Sequence, residues 1–411
     1  MSQNTQNITP NISYAKNLKI LQYFTFCDNL KLFGAIRTVY FGLVLNSNFM
    51  AGILLSIYIM SSVITDVPLG VFSDIYGKKK TLILGAICSF LGVLIYVFSQ
   101  KFEILVLGTI LEGIAVACFS GNNDAIIFES VDLENERLET KTKKLEFNTE
   151  YGKIMSYFQM AMVLASFSSL LVGFGVQWLV YLSLPFLFIN IILSFQIIDL
   201  PISNKENNIY TNPFKQFWQQ IIASLKDLFG NKKLTQTGLL NALEFAFAET
   251  TYYFRSNFVA SLWAVQYIGL SKVISSLTAT VSFRLGGKII EQFGIKKTLV
   301  YGGLLTRFID IGSTVLNGLF SPILMSFSSI FYGTTTIAKS SLLQNQLSNG
   351  NRSTIPSFIS LLGNLLFSIF SILFGYLSDQ YSVFWAFIIF QLGYLLVNIG
   401  YTFISPDKTK S

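Results

Sequence analysis

Apolar residues in this chain come in long runs broken by short polar segments. The runs 81–99, 104–121, 154–173 and 357–377 show the pattern most clearly. A bilayer core is crossed by about 20 mostly apolar helical residues. The spacing therefore predicts an all-α integral membrane protein with twelve spans: 20–45, 49–70, 81–99, 103–128, 153–173, 176–198, 235–258, 262–286, 298–317, 321–346, 354–377 and 383–404. They are numbered 1 to 12 here. The connections alternate between very short ones, at 46–48, 175 and 379–382, and charged ones, at 78–80, 131–153, 201–233 and 288–297.

Composition agrees with this pattern. The chain is 52% hydrophobic and 12% charged, whereas a soluble domain carries about a quarter charged residues. Charge placement then sets the orientation. Of 29 Lys and Arg, 21 lie on the side of the charged connections, counting both termini and Arg352 between spans 10 and 11. Lys101 and Arg255 are assigned to the opposite side, and Lys31, Arg37, Lys272, Arg284, Arg307 and Lys339 fall within spans. Positive charge concentrates on the cytoplasmic side of membrane proteins, so both termini are expected there. The net charge of +7 then reflects topology and not nucleic-acid binding.

The expected layout is a tail at 1–19, a six-helix bundle at 20–198, a cytoplasmic loop at 199–234, a second bundle at 235–404 and a tail at 405–411. Within the loop, Phe214, Phe217, Trp218, Ile221, Ile222 and Leu225 are spaced like the apolar face of an interfacial helix over 213–229. The polar N-terminal residues do not read as a cleavable signal peptide. Cys27, Cys88 and Cys118 suggest no disulfide framework. Histidine is absent, which excludes His-ligated metals and His relays and leaves proton chemistry to carboxylates. No nucleotide-binding Gly-x-x-x-x-Gly-Lys-Ser/Thr sequence occurs. No catalytic constellation is found, so neither an enzyme nor a cofactor is expected.

An internal repeat adds the architecture. The segment Gly70-Val-Phe-Ser-Asp74-Ile-Tyr-Gly77-Lys78-Lys79-Lys80-Thr-Leu recurs 217 residues later as Gly287-Lys-Ile-Ile-Glu291-Gln-Phe-Gly294-Ile-Lys296-Lys297-Thr-Leu. Each copy joins the second and third span of its half. Such repeats mark transporter folds. The first copy, preceded by Asp66-Val-Pro68-Leu-Gly70, resembles the loop 2–3 signature of the major facilitator superfamily. A weaker echo, Gly375-Tyr-Leu-Ser-Asp379, lies at the end of span 11.

The resemblance implies two pseudo-symmetric six-helix bundles and a monomeric, multi-pass transporter of the cell inner membrane, carrying a small molecule and, as coupling ion, protons. It also implies a cytoplasmic gate. Gly70 would let span 11 approach span 2, and Asp74 would face the positive N-terminal end of span 11. Lys78, Lys79 and Lys80 would pair with Asp124 or Glu129 near the end of span 4. Glu291 would repeat the latch against span 5, and Asp66 would belong to the same gate. Gly287, Gly294, Lys296 and Lys297 complete the second copy.

Charges inside a membrane are costly and point to function. Here they are Asp28, Lys31 and Arg37 on span 1, Glu112 on span 4, Glu244 and Glu249 on span 7, and Lys339 on span 10. In the family the resemblance suggests, spans 1, 4, 7 and 10 line the central cavity. Asp28 and Lys31 are three apart and can neutralise each other. Arg37 has no local partner and reads as an anion-binding group. Asp28, Glu112, Glu244 and Glu249 are the candidate proton carriers, although the five-residue spacing of Glu244 and Glu249 puts only one on the cavity face. Arg307 and Asp310 read as a structural pair. Lys272 is open to either reading.

Drug–proton antiporters of that family carry an early arginine in span 4 and a Gly-Pro signature in span 5. Thr109 stands at the arginine position, and span 5 has no proline. Together with the deep charges, this points to a polar or charged substrate. Proton-coupled efflux of an antibiotic or toxic metabolite is the leading expectation. Uptake of a polar nutrient and a non-transporting sensor or scaffold are the alternatives.

Overall fold

In the computed structural model the described residues are 13–138, 144–200, 230–347 and 354–404. They form fifteen α-helices joined by short turns and 3₁₀ segments, with no strand among them. The first half holds α1 (Ala15–Asn29), α2 (Arg37–Leu45), α3 (Asn48–Tyr76), α4 (Lys78–Phe98), α5 (Phe102–Phe119), α6 (Asn122–Arg137), α7 (Phe147–Phe167) and α8 (Gln177–Gln196). The second holds α9 (Lys232–Leu262), α10 (Ile268–Phe293), α11 (Ile295–Leu316), α12 (Ser321–Phe327), α13 (Tyr332–Gln344), α14 (Thr354–Gln380) and α15 (Val383–Gly400). The interfacial helix expected at 213–229 and the C-terminal tail lie outside the described residues.

Among the described residues, eight helical segments are long and apolar enough to cross a membrane. α9 and α10 have the length but not the hydropathy, because they carry much of the polar lining described below. The segments expected as spans 1 and 10 are helical but interrupted. Span 1 breaks between α1 and α2, where Gly34–Ile36 is a 3₁₀ turn, and span 10 breaks at the 3₁₀ turn Ser328–Phe331. Span 4 is also divided, at Gly121. Freed backbone groups at membrane depth need internal partners. At the span 1 break Ser183 accepts from the Leu32 N–H at 2.9 Å, and Ser168 donates to the Leu32 carbonyl at 2.7 Å. Hydropathy cannot reveal such breaks, because the compensating hydroxyls lie more than a hundred residues away in sequence.

The N-terminal boundary also moves. Residues 13–19 are not a free tail: α1 begins at Ala15, and Glu134 on α6 accepts from the Ser13 hydroxyl and the Ala15 N–H. α6 and α7 likewise extend into the 131–153 connection.

The two repeat copies share one backbone geometry. Gly77 joins α3 to α4 with φ +97°, ψ 147°, and Gly294 joins α10 to α11 with φ +81°, ψ 155°. This region is essentially restricted to glycine. Lys79 reaches Asp199 past the end of α8 at 3.6 Å. Its repeat mate Lys296 reaches the Thr402 and Ile404 carbonyls past the end of α15, at 2.8 and 2.6 Å. Replacing Gly77 or Gly294 with alanine is expected to cost about 1–3 kcal/mol each, read as a lower unfolding midpoint of the purified protein. Alanine at Gly70 or Gly287, where a methyl group would meet open space at ordinary φ, is expected to leave the midpoint unchanged.

Candidate functional site

Three groups of buried charges organise the interior. In the first half, Arg37 makes a two-pronged contact with Glu112, Nη1 to Oε2 at 3.1 Å and Nη2 to Oε1 at 3.0 Å. Glu112 is fully buried. It also accepts from the Tyr96 hydroxyl at 2.7 Å and lies 3.8 Å from Lys31, which pairs with Asp28 at 3.5 Å. The Arg37 guanidinium stands over the Tyr58 ring at 4.4 Å. Arg37 is thus not the unpartnered anion-binding group its local sequence suggested. Its partner is 75 residues away on α5, one turn beyond Thr109.

In the second half, Glu244 on α9 accepts from the Tyr401 hydroxyl at 2.6 Å and pairs with Lys339 on α13 at 3.5 Å. Further along, Asp310 lies between Arg307 at 3.1 Å and Arg255 at 3.5 Å. Arg307 also donates to Gln391 at 2.6 Å and stacks on Tyr394 at 3.9 Å. The Arg307–Asp310 pair is as expected. Arg255 is not an exposed topogenic charge: it lies inside α9, seven residues before the helix ends at Leu262, and Asp310 and the Met325 carbonyl draw it into this buried cluster.

A cavity of about 440 Å³ opens between these elements. Its wall comes mainly from α9, α10, α11 and the turn before α13, with α7 and residues Gly34 and Ala35 closing it from the first half. Its charged lining is Glu244, Glu249, Arg255, Lys272 and Arg307. Both Glu244 and Glu249 therefore face it, contrary to the one-face expectation. The cavity extends around α9 toward α10 on one side and toward α11 and α15 on the other, so lining residues run from Glu244 to Arg255. Asp28, Lys31, Arg37 and Glu112 do not line this cavity, since they are consumed in their own cluster. Sequence reasoning undervalued Arg255 and Lys272. The signal was available: Glu249, Tyr252 and Arg255 recur at three-residue spacing, one stripe on a helix.

The gate residues show which end is closed. At the lysine-rich end, Asp74 and Glu291 are exposed, with no hydrogen bond or ion pair among the described residues, and a methyl group at Gly70 or Gly287 would touch nothing. Neither expected latch makes a hydrogen bond or ion pair among the described residues. Lys78 pairs with Glu129 at 2.7 Å, while Asp124 stays exposed in the first turn of α6. Asp66, Lys80 and Lys297 are exposed too.

The opposite end is sealed. Asp379 accepts from the Ser47 hydroxyl at 2.7 Å and from the N–H groups of Asn48 and Phe49 at 2.9 and 3.0 Å, capping α3 across the two halves. The acid of the weak third echo thus ties the two halves together at this end. Gly375 and Gly52 bring the α14 and α3 backbones into direct contact, and Gly269 does the same for α10 against Ser166 of α7. Thr38 donates to the Tyr253 carbonyl, and Ser169 to that of Gln266. Hydrogen bonds between described residues of the two halves all sit at this end.

Residues 20–368 match the sequence model of the Major Facilitator Superfamily. Among solved structures, the fold is similar to a mutant form of nucleoside transporter NupG, with TM-score 0.80, 16% identity and coverage of 96% of this chain and 100% of that one. It is also similar to a D-xylose-proton symporter, with TM-score 0.71, 14% identity and coverage of 96% and 98%. A curated uncharacterized transporter of Buchnera aphidicola subsp. Schizaphis graminum (strain Sg) is 30% identical over 97 residues, 23% of this chain. The chain matches only 24% of the length of that relative. The repeat, the paired bundles and the family match agree: this chain belongs to the Major Facilitator Superfamily, a family of membrane transporters.

Proposed function

We propose that the chain moves a small polar or charged organic molecule by alternating access through the cavity beside α9, driven by protons carried on Glu249. The observation behind the coupling assignment is pairing. Asp28, Glu112 and Glu244 each sit against a fixed cation. Glu249 lines the cavity without a cation within 4 Å among the described residues. An unpaired charge at membrane depth is costly, and a proton from the open end would neutralise it.

The layout belongs to the same reading: twelve spans, both termini and the lysine-rich end in the cytoplasm, and a monomer in the inner membrane. The conformation would then be open to the cytoplasm. Uptake is favoured over efflux, supported by the polar lining and by relatives named as a nucleoside transporter and a D-xylose-proton symporter. Nothing in the cavity favours antibiotic export.

The test is flux into proteoliposomes under an imposed pH gradient over a panel of polar metabolites. Glu249→Gln is expected to abolish gradient-driven accumulation while leaving counterflow of the same substrate. Accumulation retained in Glu249→Gln would remove Glu249 from the coupling role. Absence of gradient-dependent flux for every compound would favour a scaffold.

A further inference from the structure

We propose that the sealed end of the cavity is an anion subsite, in which Arg255 and Lys272 hold a carboxylate or phosphate group of the transported molecule. The inference rests on the transport reading above and names the substrate class for it.

The first observation is a surplus of positive charge. Arg255, Arg307 and Lys272 face the same region, and Asp310 is the one carboxylate within 4 Å of any of them among the described residues. Asp310 is fully buried behind the arginines and offers nothing to the cavity. Glu244 is taken by Lys339.

The second observation is unspent hydrogen-bonding capacity. Arg307 is committed to Asp310, Gln391 and the Tyr394 ring. Arg255 uses Nη1 on the Met325 carbonyl at 3.2 Å and the Ser275 hydroxyl at 3.4 Å and Nη2 on Asp310, and the Nε atoms of both Arg255 and Arg307 are buried without a partner. Lys272 rests over the Tyr252 ring at 5.0 Å, with no carboxylate beside it. Two like charges that share one cavity away from bulk water are costly unless something neutralises them. A bound anion does so, and charge-assisted hydrogen bonds to carboxylate or phosphate are the strong kind.

The surroundings fit such a group. Ser275 and Ser276 follow Lys272 by one turn of α10, and Ser328 and Ser329 come from the broken segment before α13. Glu249 lies six residues before Arg255 on α9, roughly 9 Å along the axis at 1.5 Å per residue. The anion subsite and the proposed proton carrier are therefore separate, and a body of metabolite size spans the space between them.

The experiment uses purified full-length protein and its thermal unfolding midpoint. The probes are inorganic phosphate, glucose, gluconate and glucose 6-phosphate, at an ionic strength held constant with sodium chloride. The expected result is saturable stabilisation by gluconate or by the phosphates, and none by glucose. Which arm responds distinguishes carboxylate from phosphate. Lys272→Gln is expected to weaken the response about tenfold, the loss of roughly one charge-assisted contact. Lys101→Gln, at the exposed sealed-end surface, is expected to respond like the parent. If Arg255→Gln does not fold, Lys272→Gln carries the test alone. Stabilisation by neither anion class beyond chloride, or an unaltered response in Lys272→Gln, would overturn the subsite. Binding is read without flux, so proton-driven transport of a neutral sugar would sink this inference and leave the transport reading standing.

Discussion

Replacing Glu112 with alanine is expected to destabilise the protein by about 3–5 kcal/mol, the cost of leaving a buried ion without its partner. The reason is geometric. Arg37 is nearly inaccessible, both of its terminal nitrogens bond Glu112, and Lys31 leans on the same carboxylate. Removing Glu112 leaves two cations in the first-half core with Asp28 as their remaining acid. Tyr96 loses an acceptor as well. Removing both charges is a different experiment. Arg37→Met with Glu112→Leu takes away the ions and their desolvation together, so most of the lost stability is expected to return. The measurement is the thermal unfolding midpoint of single and double variants, purified in the same detergent. Additive losses in the double variant would show that the two side chains are not coupled.

A bulky residue at Gly375 is the second large effect. A methyl group there would overlap the Asn48 carbonyl and lie 2.9 Å from the Phe49 Cα, which are backbone atoms that cannot rotate away. Overpacking of this kind costs typically about 1–3 kcal/mol. The cost falls only on the conformation in which α3 and α14 touch at this end. Gly375→Trp is therefore expected to shift the balance toward the state open at the Asp379 end by about 5- to 150-fold. Asp379→Ala acts in the same direction more weakly, because a carboxylate at an exposed helix N-terminus contributes only about 0.3–1 kcal/mol.

The fold was legible where the physics is local. Long apolar runs and the 217-residue repeat marked nearly every helix and both Gly-Lys turns. What stayed hidden depends on distant parts of the chain. Arg37 looked free because its acid lies on another helix. The span 1 interruption was invisible because hydroxyls of Ser168 and Ser183 satisfy its backbone. Arg255 looked like a surface charge because it lies near the end of span 7 and its acid, Asp310, is on another helix. The acids of the expected gate motif, Asp74 and Glu291, make no hydrogen bond or ion pair among the described residues, and a sequence cannot say which of two conformations a structure will hold. The carboxylate that joins the two halves is Asp379, which the repeat only faintly announced.

Inter-label distances test most directly whether the two ends close in alternation. With Cys27, Cys88 and Cys118 replaced by serine, spin labels are placed at exposed residues of the two halves. Tyr76 and its repeat mate Phe293 report on the lysine-rich end, and Phe98 and Leu319 on the opposite end. Alternating access predicts two populations at each pair, long at one end when short at the other. In Gly375→Trp the population with the 98–319 pair apart and the 76–293 pair together should grow. A single distance at both pairs, unmoved by Gly375→Trp, would contradict it and leave a static membrane scaffold.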